Sequence, residues 1–373
     1  MRIDKNAMKK EERATLALRG LYQQYGYKPF KMGKFEPYDL YVRNRDFISS
    51  DRVITFSDMN GRLMALKPDL TLSIVKNYRE FPGCVEKVYY SENIYRASKS
   101  AKVYKEILQT GLECIGELDL YHICEVTLLA AKSLGVITED YVLEVSHMGL
   151  IKGILNTVEE ETRAELIKCI GEKNLHEIRD ICRACRIEQG IAAALELLIS
   201  TYGSYDKVLP ALSALCVNKE AEEAVGELGD VCRILEVNGL ADNINIDFSI
   251  VNDLNYYSGI LFKGFIRGIP ESILSGGRYD KLMERMGKSG GAIGFALYLD
   301  ALDVLERKEK KYDVDVAFIY DRKDDIAEVL KAAKAIRETG KTVSVERTIP
   351  PKVTYEKMVK LEEGKVVCLE DNA

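Results

Sequence analysis

The chain has 373 residues, of which 47% are hydrophobic and 30% charged, with a formal net charge of −6. At about 100–200 residues per domain this is two or three domains with ample material for a core. The composition excludes a low-complexity chain. No apolar run approaches the roughly 20 residues that span a bilayer, and the charged N-terminus lacks the apolar stretch of an export signal. The acidic balance argues against a nucleic-acid surface covering the whole protein. There is no Trp, and the only histidines are His122, His147 and His176, so a His-based metal site or general base has few places to be. Nine scattered cysteines, an odd number, predict reduced thiols and a cytoplasmic location.

Residues 5–25 read as an amphipathic helix carrying Leu16, Leu18 and Leu21 and closing at Gly26. Val53–Phe56 and Leu63–Leu66 are strand-like and flank Asn60-Gly61, a hairpin signal. Asp69–Asn77 opens as a helix. Val85–Tyr90 and Tyr104–Ile115 are expected strands, interrupted by Ala97–Lys102. Tyr121–Leu134 is expected to be helical and Tyr141–Ser146 to be a strand. From 149 to 239 apolar residues recur at helical spacing, which predicts a helical insertion. Within it Ile178, Ile181, Cys182 and Cys185 fall on one helix face, so both cysteines are expected to pack rather than to bind metal. Strand character returns at Ile244–Phe248 and Tyr256–Phe265. Two Gly-rich passages follow, Ser275–Asp280 and Ser289–Phe295, then an expected helix over Ala296–Arg307 and a charged linker at Glu306–Lys311. Residues 312–373 read as strand, helix, Gly340 turn and strand, with a last helix and strand after Pro350-Pro351. Neither a P-loop nor a dinucleotide fingerprint is present. The expected class is α+β: an antiparallel-sheet core over 1–148 and 240–307, a helical insertion over 149–239, and a small α/β C-terminal domain over 312–373.

Four segments, in order, resemble histidyl-tRNA synthetase, a class II aminoacyl-tRNA synthetase. They are Arg62–Thr71, reading RLMALKPDLT; Gln109–Gly116, reading QTGLECIG; Asn252–Gly259, reading NDLNYYSG; and Gly276–Asp280 followed by Gly294–Leu297. The resemblance covers about 1–305. It implies a pocket for free histidine in which Asp69 receives the α-ammonium with Thr71 beside it, and Gln109 bridges polar atoms of the amino acid. Glu113 and Tyr257 would meet the imidazole nitrogens and Tyr256 would pack nearby. Gly276, Gly277 and Gly294 would let backbone approach the ligand. Taken singly, each residue also fits a plainer role: Asp69 and Thr71 as helix caps, the tyrosines as half-buried strand residues.

The activation chemistry departs from the pattern. Making an adenylate needs cations against developing phosphate charge. Arg96 stands at the second motif's first arginine, but the loop arginine falls at Val103, the arginine of the third segment is Asn252, and that of the third class II motif is Ala301. Lys99, Lys102 or Lys105 are candidates to replace one, although a lysine does not reproduce a bidentate guanidinium. The 62-residue tail is shorter than an anticodon domain and has no basic excess for RNA. These departures resemble the regulatory-subunit branch of the family, which serves ATP phosphoribosyltransferase. That resemblance implies no catalytic residue, no metal and no cofactor. It implies a short-form catalytic subunit as partner, histidine as effector, and self-association through the class II core near Phe35–Phe47. No nucleic acid or membrane is expected. An active synthetase, or a histidine-binding module with another partner, stand as alternatives.

Overall fold

The computed structural model describes residues 8–44, 47, 52–98, 103–250, 256–302, 312–362 and 364–372. It divides into two compact units, Met1–Asp303 and Val304–Ala373. The Lys99 and Lys102 positions, Asn252 and the charged linker lie outside the described residues.

The first helix, α1 (Lys10–Gln24), stops at Gly26, whose φ of +81° lets the chain leave it. Leu18 is buried and Leu16 is exposed. A two-residue strand, β1 (Lys28–Pro29), and a small sheet follow: β2 (Phe35–Pro37), helix α2 (Asp39–Arg43), β3 (Thr55–Ser57) and β4 (Leu63–Leu66). The Asn60-Gly61 hairpin forms as its sequence predicts. Gly61 takes φ +75°, and Asp58 Oδ1 accepts from the backbone N–H of Asn60 and of Arg62, both at 2.8 Å.

Helix α3 (Thr71–Asn77) then leads into the longest hairpin, β5 (Val85–Ser98) against β6 (Val103–Gly116). Helix α4 (Leu120–Ile137) and β7 (Tyr141–His147) come next. Asp119 Oδ1 accepts the His122 N–H and caps α4. Asp119→Ala is expected to lower stability by about 1 kcal/mol, read as a shifted urea midpoint with unchanged slope. Among the described residues α4 alone is long and apolar enough to cross a membrane. Here it is a core helix with most of its residues buried.

Helices α5 (Met148–Leu155), α6 (Glu160–Gly171), α7 (Leu175–Ala184), α8 (Gln189–Ser200), α9 (Tyr205–Leu212) and α10 (Lys219–Val237) follow, with the short strand β8 (Tyr202–Ser204) between α8 and α9. Cys182 packs on α7 as expected, but Cys185 does not. The helix ends at Ala184, Arg186 takes φ +51°, and the Ile187 N–H turns back to the Cys182 carbonyl, which leaves Cys185 exposed.

The chain returns to the sheet with β9 (Ile244–Asp247), β10 (Ile260–Ile266) and β11 (Leu274–Arg278), then helix α11 (Asp280–Arg285) and β12 (Gly291–Tyr298). The nine-stranded sheet has the order β1-β5-β6-β12-β11-β10-β7-β9-β8. It is antiparallel except where β1 meets β5 and β7 meets β9. Both Gly-rich passages are thus central strands. The expected helix over Ala296–Arg307 does not begin there: Ala296–Tyr298 completes β12, and Leu299–Leu302 is a single 3-10 turn. A strand buried on both faces reads as a continuous apolar run, and periodicity does not separate that from a buried helix.

In the second unit β13 (Val314–Ile319), helix α12 (Ile326–Glu338) and β14 (Val343–Glu346) follow the sequence reading closely. The last expected helix is instead β15 (Tyr355–Glu362), hairpinned to β16 (Lys365–Asp371). Its Val359 and Leu361 alternate onto the face packed with Phe318, Val329 and Ala333. The strand order is β14-β13-β15-β16.

Candidate functional site

Strand alternation on β6 sends Cys114 to the face covered by α1 and α4 and Glu113 to the other. One cross-strand row runs across that second face: Val88, Glu113, Gly294, Gly277, Leu261 and Ser146. Glu113 is 2% exposed. The Thr71 hydroxyl donates to its Oε1 at 2.9 Å and the Tyr279 hydroxyl to its Oε2 at 2.5 Å. Burial pushes the carboxyl up to about 8; the two hydroxyl donors oppose this, and the Asp69 carboxylate adds to it. Holding it ionised therefore costs on the order of 5 kcal/mol relative to water.

Asp69 precedes α3, and its Oδ1 accepts the Leu72 N–H at 3.1 Å, so it does cap that helix. Its other oxygen lies 3.9 Å from the Arg96 guanidinium. Burial raises the Asp69 pKa against the pull of Arg96. Arg96 is itself fixed by its Nε–H, which donates to the Pro68 carbonyl at 2.8 Å. Gln109 is 2% exposed, and its Oε1 has no hydrogen-bond partner among the described residues. A buried acceptor left unpaired is costly, so such an atom suits a ligand donor.

Thr71 is not a cap, since its hydroxyl is spent on Glu113. The Tyr256 ring packs at 4.7 Å from Tyr257 and 5.8 Å from Tyr279, and burial holds both Tyr256 and Tyr257 protonated. A Cβ on Gly294 would stand 1.7 Å from Glu113 Oε2, and one on Gly277 2.8 Å from the Tyr257 ring. Gly294 makes room for the protein's own carboxylate, and Gly277 for the β10 backbone as well as that ring, since a Cβ there would stand 2.6 Å from the Ile260 carbonyl. Gly276 belongs to the opposite face, where a Cβ would strike Phe295 and Phe262. Asp69, Thr71, Gln109, Glu113, Tyr256, Tyr257, Gly277 and Gly294 thus share one face, and Gly276 does not. Val103 is exposed at the start of β6, and Ala301 is half-buried in the 3-10 turn.

Tyr279 was not foreseen as a contact of Glu113. Its only sequence signal is an aromatic directly after the Gly-Gly-Arg strand. Tyr90, opposite Gly111 on β5, was likewise missed. Among the described residues no three His, Cys, Asp or Glu side chains are placed to hold a metal ion.

The profile of the family described as histidyl-tRNA synthetase matches residues 3–302. The chain belongs to this family. Among its histidyl-tRNA synthetase-family relatives is an ATP phosphoribosyltransferase regulatory subunit from Oceanobacillus iheyensis, 25% identical over 359 residues, covering 94% of this chain and 86% of the relative. A solved structure described as an ATP phosphoribosyltransferase regulatory subunit/histidyl-tRNA synthetase, from Bacillus halodurans, superposes with a TM-score of 0.72 at 21% identity, over 96% of each chain. An ATP phosphoribosyltransferase complex from Thermotoga maritima contains a chain that superposes at 0.62 and 19% identity, over 78% of this chain and 97% of that one. These likenesses carry the class II synthetase fold.

Proposed function

We propose that this chain is a non-catalytic regulatory subunit of ATP phosphoribosyltransferase, acting with a short-form catalytic subunit in the first step of histidine biosynthesis and sensing histidine in the Glu113 pocket. The observation that carries the ligand is a buried carboxyl that pairs with no cation among the described residues. Glu113 is shifted toward neutrality by burial, and Asp69 shares one guanidinium at long range. A free amino acid with an imidazole supplies what is missing: its ammonium to Asp69, an imidazole N–H to Glu113, and a donor to Gln109 Oε1. Its carboxylate would face Arg96, since the family arginine of the third segment is Asn252 here.

Activation chemistry is not supported by the same residues. Val and Ala stand where the family places two of its cations, and each lost transition-state cation costs about 10²–10³ in rate. Sensing needs no chemistry, only a difference in histidine affinity between assembly states, typically 1–3 kcal/mol. Self-association is assigned to the segment near Phe35–Phe47. There Phe35, 58% exposed, packs edge to face at 5.3 Å on Phe56 of β3, 37% exposed, and the two rings leave an apolar surface open on one face of the small sheet.

The test is calorimetric titration of histidine into the chain, and into its mixture with a short-form catalytic subunit, beside an ATP–pyrophosphate exchange assay. Binding in both, inhibition of the transferase and no exchange are expected. Robust exchange would make the chain an active synthetase. Histidine binding without effect on the transferase would make it a module for another partner.

A further inference from the structure

The Tyr256–Gly259 segment carries two of the pocket rings, and it is held from two sides. From β11, the Arg278 carbonyl accepts the Ser258 N–H at 2.8 Å. From α5, the Lys152 ammonium donates to the Tyr257 carbonyl at 3.1 Å, and the Gly259 carbonyl accepts the Met148 N–H at 2.9 Å. Helix α10 adds a second tie: Glu227 pairs with His147 at 2.9 Å, just before α5, and approaches Arg278, one residue before Tyr279, at 3.9 Å. The helices that follow β7 thus reach both strands that deliver the aromatic wall around Glu113.

We infer that Lys152 is a positioning residue of this pocket: by holding the Tyr257 carbonyl it fixes the Tyr256 and Tyr257 rings against Gly277 and Tyr279, and so sets the affinity for an imidazole-bearing amino acid. The inference rests on the histidine reading of the pocket. Lys152 acts through the Tyr257 carbonyl, which its ammonium holds. Its charge state gives the role a signature. Half-buried, it faces Lys281 and Asp280 of α11 and Glu220 of α10. Burial first, then Lys281, brings its pKa down to about 8, with the two carboxylates opposing. Below that pH the ammonium grips the carbonyl with full charge; above it the grip weakens. An arginine stays charged throughout.

The experiment is calorimetric titration of histidine into the full-length wild type, Lys152→Met and Lys152→Arg, at about pH 7 and about pH 9. Glu113 and the ligand's own ammonium titrate in all three proteins, so ratios between variants isolate Lys152. Lys152→Met is expected to bind about tenfold more weakly near pH 7. Lys152→Arg should stay near wild type at pH 7 and exceed it at pH 9. Wild-type affinity in Lys152→Met at both pH values, or a shift in Tm without a change in affinity, overturns the inference. If Lys152→Met does not fold, an Arg variant that tracks wild type through pH 9 overturns it. A wild type that gives no heat with histidine at either pH defeats the pocket reading itself, a result distinct from the others.

Discussion

Glu113→Gln is expected to weaken histidine binding by between about 10- and 100-fold while making the protein more stable. The loss follows because the carboxyl can give up its proton when an imidazole N–H arrives and become a charge-assisted acceptor, which an amide cannot do. The gain follows from linkage. The folded Glu113 carboxyl sits at about 8, above its ordinary value of 4.5. A group raised on folding leaves stability intact below its unfolded pKa, and stability is lost as pH climbs toward the folded one. Wild type therefore forfeits up to about 3 kcal/mol at pH 7 that the glutamine variant keeps. Urea unfolding of both proteins at pH 5 and pH 8 reads this directly, with a difference that widens toward alkaline pH. A constant difference would place the carboxyl near its ordinary range and remove the basis for a cation-seeking pocket. Assembly with the catalytic subunit should be unaffected, and its loss would make Glu113 a structural residue.

Gly294→Ala is the second large effect. The new methyl would meet Glu113 Oε2 at 1.7 Å and the Leu112 carbonyl at 2.5 Å. The carboxylate has to leave Thr71 and Tyr279, and the strand must shift as well. Overpacking of this kind costs about 1–3 kcal/mol, to which the broken buried hydrogen bonds add. Histidine binding is expected to vanish with it. The double variant Glu113→Ala/Gly294→Ala should recover part of the stability, because the two single changes share one collision. Strict additivity in the cycle would show that the clash is with backbone alone.

Much of this was legible in the residues. Hydrophobic alternation and Asn-Gly gave the first hairpin, helical spacing gave α4 and α12, and the order of four motifs pointed to the pocket face. The failures have physical causes. Strand β12, buried along nearly its whole length, lacks the alternation that marks a strand, so its second half was read as a helix. Cys185 lies at helical spacing from Cys182, but a left-handed residue at Arg186 ends the helix first. Tyr279 reaches Glu113 across 166 residues of sequence, a contact that only the pairing of β11, β12 and β6 creates. Gly276 and Gly277 are neighbours in the chain and so point to opposite faces, which the glycine count alone does not reveal.

The close fit of Glu113 over Gly294 also bears on how the sheet finds its alignment. A slip of β12 by one residue against β6 would turn its whole buried set to the wrong face. A slip by two would bring Ala292 or Ala296 opposite Glu113, each with a methyl where the carboxylate lies. Among alignments within two residues, only the native one offers a residue with no side chain at that spot. The glycine beneath Glu113 therefore also acts as a key for strand pairing, so the sheet that assembles without collision is the one that already holds this buried carboxylate in place.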